Sequence, residues 1–277
     1  MKLTLRKQAI LDRLNSSGET AISDLAKEFG LSEMTIRRDL ETLELDGFVR
    51  RVRGGAIPSQ SRSYEPPLIT RTGFEHEAKI RIGRAAAALL SDNETAIIDG
   101  GTTTLELARA IDAKLQLTLI TSSILIASEL SAKPNIRTIV TGGILRRGEM
   151  SLIGARAENS FSDLNCDSVF LGVAGISSSK GLTEYNLDDT RVKQEAIKAG
   201  SRVVVLADAT KIGKIAFANV APIDVVDILI TNASPNNKEI SQIREAGIEV
   251  IHVEPIQNEE KNQEGKQCPA SRKSFPM

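Results

Sequence analysis

Tryptophan is absent from this 277-residue chain, and only two tyrosines and seven phenylalanines occur in it. Single-stranded nucleic acid is gripped by stacking bases on exposed rings, so this scarcity of aromatics argues against that class of function. The two cysteines, Cys166 and Cys268, lie far apart and form no C-x-x-C pair. Neither a disulfide framework nor a metal site is expected, and a reducing compartment fits. No apolar run approaches the ~18 residues that would suggest a membrane span. The opening Met-Lys-Leu-Thr-Leu-Arg leads into a helical pattern without the apolar core of a secretion signal, so the expected location is cytoplasmic. An excess of charge is also lacking. The net charge is −1, and any contact with DNA must come from local clustering.

The remaining composition, 41% hydrophobic and 26% charged, is that of an ordinary globular chain long enough for about two domains. Arg6 to Asn15 reads as a helix. Thr20 to Leu40 then holds two short amphipathic segments on either side of Gly30-Leu31-Ser32. Ile22, Leu25, Ala26 and Phe29 form one stripe; Ile36, Leu40 and Leu43 form the other, at helical spacing. Ser23 and Ser32 are placed to cap the two helices. Two helices around a tight turn form a helix-turn-helix, whose second helix enters the major groove of DNA. The second helix is expected to end at Gly47. Its outward face offers Glu33, Met34, Thr35, Arg37 and Arg38. The run Phe48 to Ile57 follows, with Arg50, Arg51 and Arg53 before Gly54-Gly55, and reads as a hairpin wing. The expected DNA-contacting set is Ser32, Met34, Thr35, Arg37, Arg38, Arg50, Arg51 and Arg53.

Residues 1–58 thus form a winged helix-turn-helix, with the helix-turn-helix at 20–39. Residues 59–75, interrupted by Pro66-Pro67, read as an exposed linker that partly docks on its neighbours. From residue 76 to 254 helices alternate with short Val/Ile/Leu runs, the pattern of a parallel sheet covered on both faces. Within it, 100–104 is expected as a loop and 152–164 as mostly helical. Residues 255–277 are polar and aperiodic, the composition of a disordered tail.

Ligands of open α/β sheets sit beyond the carboxyl ends of the strands, and the informative residues fall there. Asp99-Gly100-Gly101-Thr102-Thr103-Thr104 lies between a strand and a helix. Its backbone N–H groups and hydroxyls make a phosphate cradle by physical type. It has neither the Gly-Lys-Ser/Thr ending of a P-loop nor a G-x-G-x-x-G, so no nucleotide cofactor is expected. Thr121, Gly142-Gly143, Gly172 and Asp208 with Lys211 close other strands, and Glu184 and Lys193 flank a helix start. All of these are candidate effector contacts.

Residues 3–58 resemble the winged-helix domain of the DeoR-type bacterial repressors of sugar metabolism. The resemblance rests on Ser32-Glu-Met-Thr-Ile-Arg37-Arg38-Asp39-Leu40, Leu43, Gly47, and the wing from Arg50 to Ala56. It continues to about residue 254 through Asp99-Gly-Gly-Thr-Thr, Gly142-Gly143, Gly172 with Gly175, and Asp208 with Lys211 and Gly213. It departs at Ser122, where the family often has Asn. The resemblance implies a Rossmann-like effector domain similar to ribose-5-phosphate isomerase and glucosamine-6-phosphate deaminase. It also implies a phosphorylated sugar as effector.

The expected function is a transcriptional repressor binding double-stranded operator DNA under control of a phosphorylated sugar. A protein reading two half-sites is expected to be a homo-oligomer, dimer or tetramer. The alternative is a sugar-phosphate isomerase or deaminase with an accessory DNA-binding domain. Glu184 and Asp208 would be its candidate bases. A nicotinamide-sensing regulator is disfavoured by the missing fingerprint.

Overall fold

In the computed structural model of the chain, residues 5–45, 48–58 and 62–254 are described. The predicted helix stop at Gly47, the tail 255–277 and Cys268 lie outside them. The N-terminal unit contains α1 (Leu5–Ser17), β1 (Thr20–Ala21), α2 (Ile22–Phe29), α3 (Glu33–Leu45), β2 (Val49–Val52) and β3 (Gly55–Pro58). Ile22, Leu25 and Ala26 of α2 and Ile36, Leu40 and Leu43 of α3 are buried with Ile10, Leu11 and Leu14 of α1. The helical spacing read from sequence is therefore the packing surface. Burying each such Leu or Ile contributes about 1.5–3 kcal/mol.

α2 ends on Gly30, in the left-handed region at φ 64°, and Leu31 N–H reaches back to the Ala26 carbonyl at 2.9 Å. Ser32 begins α3 as expected, accepting from Thr35 N–H at 3.2 Å. Ser23 does not cap α2. The helix starts one residue earlier, at Ile22, and its flanking residue Ala21 offers no side-chain acceptor. The reason is β1, which pairs with β3 of the wing and draws the chain straight from strand into helix. The wing is thus a three-stranded sheet in the order β1-β3-β2. Gly55 makes this possible: a Cβ there would lie 2.5 Å from the Thr20 carbonyl oxygen.

The second unit contains α4 (Leu68–Gly73), α5 (His76–Ala87), β4 (Thr95–Ile98), α6 (Thr102–Ala110), β5 (Leu117–Thr121), α7 (Ile124–Leu130), β6 (Ile136–Val140), β7 (Ile144–Arg146), β8 (Ser151–Ile153), α8 (Ala155–Asn159), β9 (Cys166–Gly172), β10 (Gly175–Ser177), β11 (Gly181–Glu184), α9 (Leu187–Ala199), β12 (Gly200–Leu206), β13 (Ala218–Ala221), β14 (Ile228–Thr231), α10 (Lys238–Glu245) and β15 (Glu249–His252). Seven strands form one parallel sheet in the order β15-β14-β12-β9-β4-β5-β6. Alternate residues of each strand enter opposite cores. Ile97, Val169, Leu171 and Val205 pack with Val192 and Ala196 of α9. Ala96, Ile98, Phe170 and Leu206 pack with Ile82 of α5 and Leu107 of α6 on the other face.

Three expectations are corrected. The 59–75 linker contains the helix α4. Thr102–Thr104 are the first turn of α6 rather than loop, and they are buried because α6 packs tightly on α5. The 152–164 stretch is not mostly helical. Ser151–Ile153 pairs antiparallel with Ile144–Arg146, and only Ala155–Asn159 is helix. That hairpin, and the small antiparallel sheet β10-β11-β13, were not visible as periodicity in strands of three or four residues.

From β4 the chain proceeds outward through β5 to β6 on one side. From β9 it proceeds through β12 and β14 to β15 on the other. The strand order therefore reverses between β4 and β9, and a crevice opens at their carboxyl ends.

Candidate effector site and DNA-facing surface

Asp99 follows β4, Gly172 ends β9, and the two are joined: Gly172 N–H donates to Asp99 Oδ2 at 3.1 Å. Lys193, on α9, reaches into the same crevice. Its ammonium donates to Asp99 and to the Gly172 carbonyl oxygen, the latter at 2.8 Å, and lies 3.5 Å from Glu184 Oε2. Lys193, Asp99 and Glu184 are 3%, 7% and 7% exposed. Burial works against the Lys193 charge, but Asp99 and Glu184 outweigh it and hold its pKa above the ordinary lysine value. Burial pushes the Glu184 carboxyl up, and Lys193 pulls it back. One ammonium between two carboxylates is a persistent charge cluster that a neutral core would not contain.

Above this cluster lies a cavity of about 440 Å³. That size suits a small metabolite. Gly100, Gly101, Thr102 and Thr103 line one side, with Ser122, Ser151, Asp208 and Lys211 beside them. The turn before α6 is open enough for a ligand because Gly101 carries no side chain; a Cβ there would meet Thr104 Oγ1 at 3.2 Å. Gly101 leads into α6 without a side-chain cap, and Thr102 and Thr103 of its first turn line the cavity, so the α6 N-terminus faces it. Lys214 covers another wall, donating to Tyr185 Oη at 2.9 Å and lying 4.9 Å from the centre of that ring.

Of the predicted effector contacts, Asp99, Gly100, Gly101, Thr102, Thr103, Gly172, Glu184, Lys193, Asp208 and Lys211 line the cavity. Four do not. Thr104 turns inward and is fully buried, its hydroxyl donating to the Gly101 carbonyl at 3.0 Å. Thr121 is fully buried, and its hydroxyl accepts from Ser123 N–H at 3.1 Å. Gly142 and Gly143 are exposed where the chain turns from β6 towards β7. Gly143, at φ 130°, is needed there because a Cβ would meet the Ile153 carbonyl oxygen at 2.6 Å. Their glycines serve the hairpin.

The sequence reading missed the charged rim. Glu65 and Arg71 of the linker, Glu149, and Asp189 at the start of α9 line the cavity. Arg146, on β7, joins them through ion pairs to Glu65 at 2.7 Å and to Asp189 at 2.6 Å. Burial and the neighbouring Glu65 push the Glu149 pKa up to about 7, with Arg71 opposing. Arg146, three residues beyond Gly143, carried the only legible hint, a charge beside a strand-end glycine. Lys79 also lines the cavity. Its ammonium donates to the carbonyls of Arg71 and Phe74, at 2.5 and 2.7 Å, and so holds the end of α4 against α5. Burial lowers its pKa to about 8.

On the winged helix, Ser32, Met34, Arg37, Arg38, Arg50, Arg51 and Arg53 are exposed and Thr35 is half-buried. Met34 is 60% exposed, an unusual position for a large apolar side chain. Arg37 pairs loosely with Glu33 at 3.4 Å. Arg51 is engaged within the domain: it bonds Glu44 Oε2 at 2.6 Å and Glu41 Oε1 at 2.9 Å. Glu41 and Glu44, on α3, are thus partners of the wing. Asp39, likewise, is buried and paired with Arg6 at 2.7 and 2.9 Å.

A winged helix joined to an α/β domain with a charged crevice defines a two-domain ligand-responsive regulator. Comparison with known proteins agrees. Residues 6–62 match the DeoR-like helix-turn-helix domain and residues 75–233 match the DeoR C terminal sensor domain. The chain is 32% identical over 245 residues to the HTH-type transcriptional regulator GolR of Listeria innocua, covering 88% of this chain and 96% of that one. It is 32% identical over 236 residues to the glycerol-3-phosphate regulon repressor of Escherichia coli K12, covering 85% and 93%. Among solved structures, ribose 5-phosphate isomerase A from Methanocaldococcus jannaschii aligns at 14% identity and a TM-score of 0.38, over 50% of this chain and 54% of that one. The chain belongs to the DeoR family of DNA-binding transcriptional regulators. These relatives carry the names of regulators and repressors, not of enzymes, so the isomerase or deaminase alternative is not favoured.

Proposed function

We propose that this protein represses carbohydrate-metabolism genes and that a phosphorylated sugar held in the cavity modulates its grip on operator DNA. The observation that carries the reading is the convergence at one crevice of the Gly100–Thr103 turn and the Lys193–Asp99–Glu184 cluster. The first offers N–H donors to an anion. The second offers carboxylate oxygens to hydroxyl groups, with one of its two negative charges offset by lysine. A phosphate ester of a small polyol presents both kinds of group. Two similar proteins with names that refer to glycerol 3-phosphate and to the aga operon support a carbohydrate role.

Ser32, Met34, Thr35, Arg37 and Arg38 would meet DNA from the start of α3, and Arg50, Arg51 and Arg53 from the wing. The protein would act as a homo-oligomer in the cytoplasm, because a palindromic operator needs two winged helices. Modulation requires that the effector bind the DNA-competent and DNA-incompetent forms with different affinity. The experiment is a mobility-shift titration of operator DNA against a panel of sugar phosphates. A change in operator affinity with at least one of them is expected. No change across the panel would refute the effector assignment.

A further inference from the structure

Glu65 is a linker carboxylate carried on irregular chain, yet its side chain is only 12% exposed. Two guanidinium groups explain its burial: Glu65 Oε1 lies 3.0 Å from Arg71, and Oε2 accepts from Arg146 at 2.7 Å. Asn186 Nδ2 also reaches Oε2, at 3.4 Å. Arg71 is shared with Glu149, and Arg146 with Asp189. Three carboxylates therefore face two arginines, which leaves one acid in excess. Burial first, and then the nearby Glu65, raise the Glu149 pKa, with Arg71 opposing. Glu149 and Asp189 belong to the sensor domain itself. Glu65 alone of the three comes from the segment joining that domain to the winged helix.

The cluster is continuous with the glycine turn. Ser151 Oγ donates to Asp189 at 3.1 Å, and a Cβ on Gly100 would lie 3.8 Å from Ser151 Cβ. Arginine forks bind carboxylate and phosphate oxygens in the same bidentate way. A phosphate monoester brings about two negative charges where Glu65 brings one, and the neighbouring N–H groups of the α6 turn favour it further.

We infer that Glu65 occupies the place of the effector's phosphoryl group: a phosphate monoester entering the cavity takes Arg71 and Arg146 and expels the linker carboxylate. This rests on the sugar-phosphate reading above and adds to it the cationic partners of the phosphate and the group it displaces. A neutral sugar supplies no charge to exchange and leaves Glu65 in place. Expulsion detaches the linker from Arg146 and Asn186. Leu11 of α1 and Phe48 before the wing line the same cavity as Tyr64, Glu65 and Pro66, so the winged helix borders the segment that moves. The exchange is the differential contact that coupling between the sites requires.

The test is calorimetric titration of the full chain with inorganic phosphate at constant ionic strength, for wild type, Glu65→Gln and Arg146→Gln, with circular dichroism to confirm folding. Removing the internal competitor should tighten phosphate binding by about tenfold or more, as for a lost charge-assisted contact. Arg146→Gln should abolish it. A residue with a merely structural role would weaken binding or leave it unchanged when replaced. Equal or weaker binding by Glu65→Gln overturns the exchange. Should Glu65→Gln not fold, Glu65→Asp keeps the charge but shortens its reach. It should tighten binding several-fold, and wild-type affinity in that variant overturns the exchange equally. The sugar-phosphate panel on operator DNA separates the two levels. If the panel modulates wild-type operator binding but Glu65→Gln binds phosphate no more tightly, the exchange alone falls. If no member of the panel alters operator binding, the effector reading itself falls.

Discussion

Lys193 and Asp99, 94 residues apart in sequence, meet in a buried ion pair at the point where the strand order of the central sheet reverses. The pair ties the end of β4 to α9, and Glu184 makes it a triad. Breaking a buried pair by removing one partner leaves an uncompensated charge, at a cost of about 3–5 kcal/mol. Lys193→Met is therefore expected to lower the unfolding free energy by roughly that amount, read from urea denaturation. It should also abolish any response to sugar phosphates while operator binding persists at low temperature. Wild-type stability would show that the cluster is not held as described.

The residues proposed to meet DNA divide by their partners. Arg37→Ala or Arg38→Ala should weaken operator binding by about 1–3 kcal/mol if the side chain reads a base edge. The wing arginines should instead act on all sequences alike and lower the salt dependence of binding. Within the wing, Arg50→Ala or Arg53→Ala should cost more than Arg51→Ala, because Glu41 and Glu44 already hold Arg51. Binding isotherms on operator and random DNA at several salt concentrations check this. A larger loss for Arg51→Ala than for both neighbours would refute the assignment.

Glu149 gives a pH signature. Its folded-state pKa, about 7, is raised above the usual 4.5, so the folded state holds a proton that the unfolded state has lost. Stability should therefore fall as pH rises from the unfolded value through 7. Replacing the group by Gln should flatten this slope. The difference between wild type and Glu149→Gln is expected to grow by about 1–2 kcal/mol across that window, in favour of the variant at the upper end. Parallel stability curves from pH 4.5 to 8 would contradict the assignment.

Gly83 marks the closest approach of α5 and α6. A Cβ there would lie 2.5 Å from the Glu106 carbonyl carbon and 2.6 Å from the Leu107 backbone nitrogen. Neither helix backbone can yield cheaply, so Gly83→Ala should destabilise by about 1–3 kcal/mol despite the better helix propensity of alanine. Since α6 starts at the glycine turn, effector affinity should fall as well. A stabilised variant, seen in thermal unfolding, would show that the helices can separate.

Periodicity carried much of the fold. Ile36, Leu40 and Leu43 at helical spacing, and the Val/Ile runs at 95–98, 202–206 and 228–231, became the elements they suggested, because long apolar stripes have only one place to go. The three-residue strands at 144–146 and 151–153 left no such trace. The candidate site was half legible. Asp99 to Thr103, Glu184 and Lys193 could be read because strand ends and helix starts are where open sheets bind ligands. Gly142 and Gly143 looked the same in sequence but serve a hairpin turn. Glu65, Arg71, Arg146 and Glu149 were hidden because each is an ordinary surface-type charge, and only the tertiary fold brings the linker to the crevice. Arg51 was misleading for a similar reason: its partners Glu41 and Glu44 lie seven to ten residues away on another element.

The central claim, that a phosphorylated sugar in the Lys193–Asp99 crevice controls operator binding, is tested most directly by one titration. Full-length protein bound to labelled operator is titrated with a panel of sugar phosphates and with the matching unphosphorylated sugars. The account predicts that at least one phosphate ester shifts operator affinity by about five- to 150-fold, and that its unphosphorylated sugar does not. Operator affinity unchanged by every phosphate ester, or shifted equally by the free sugar, would contradict it.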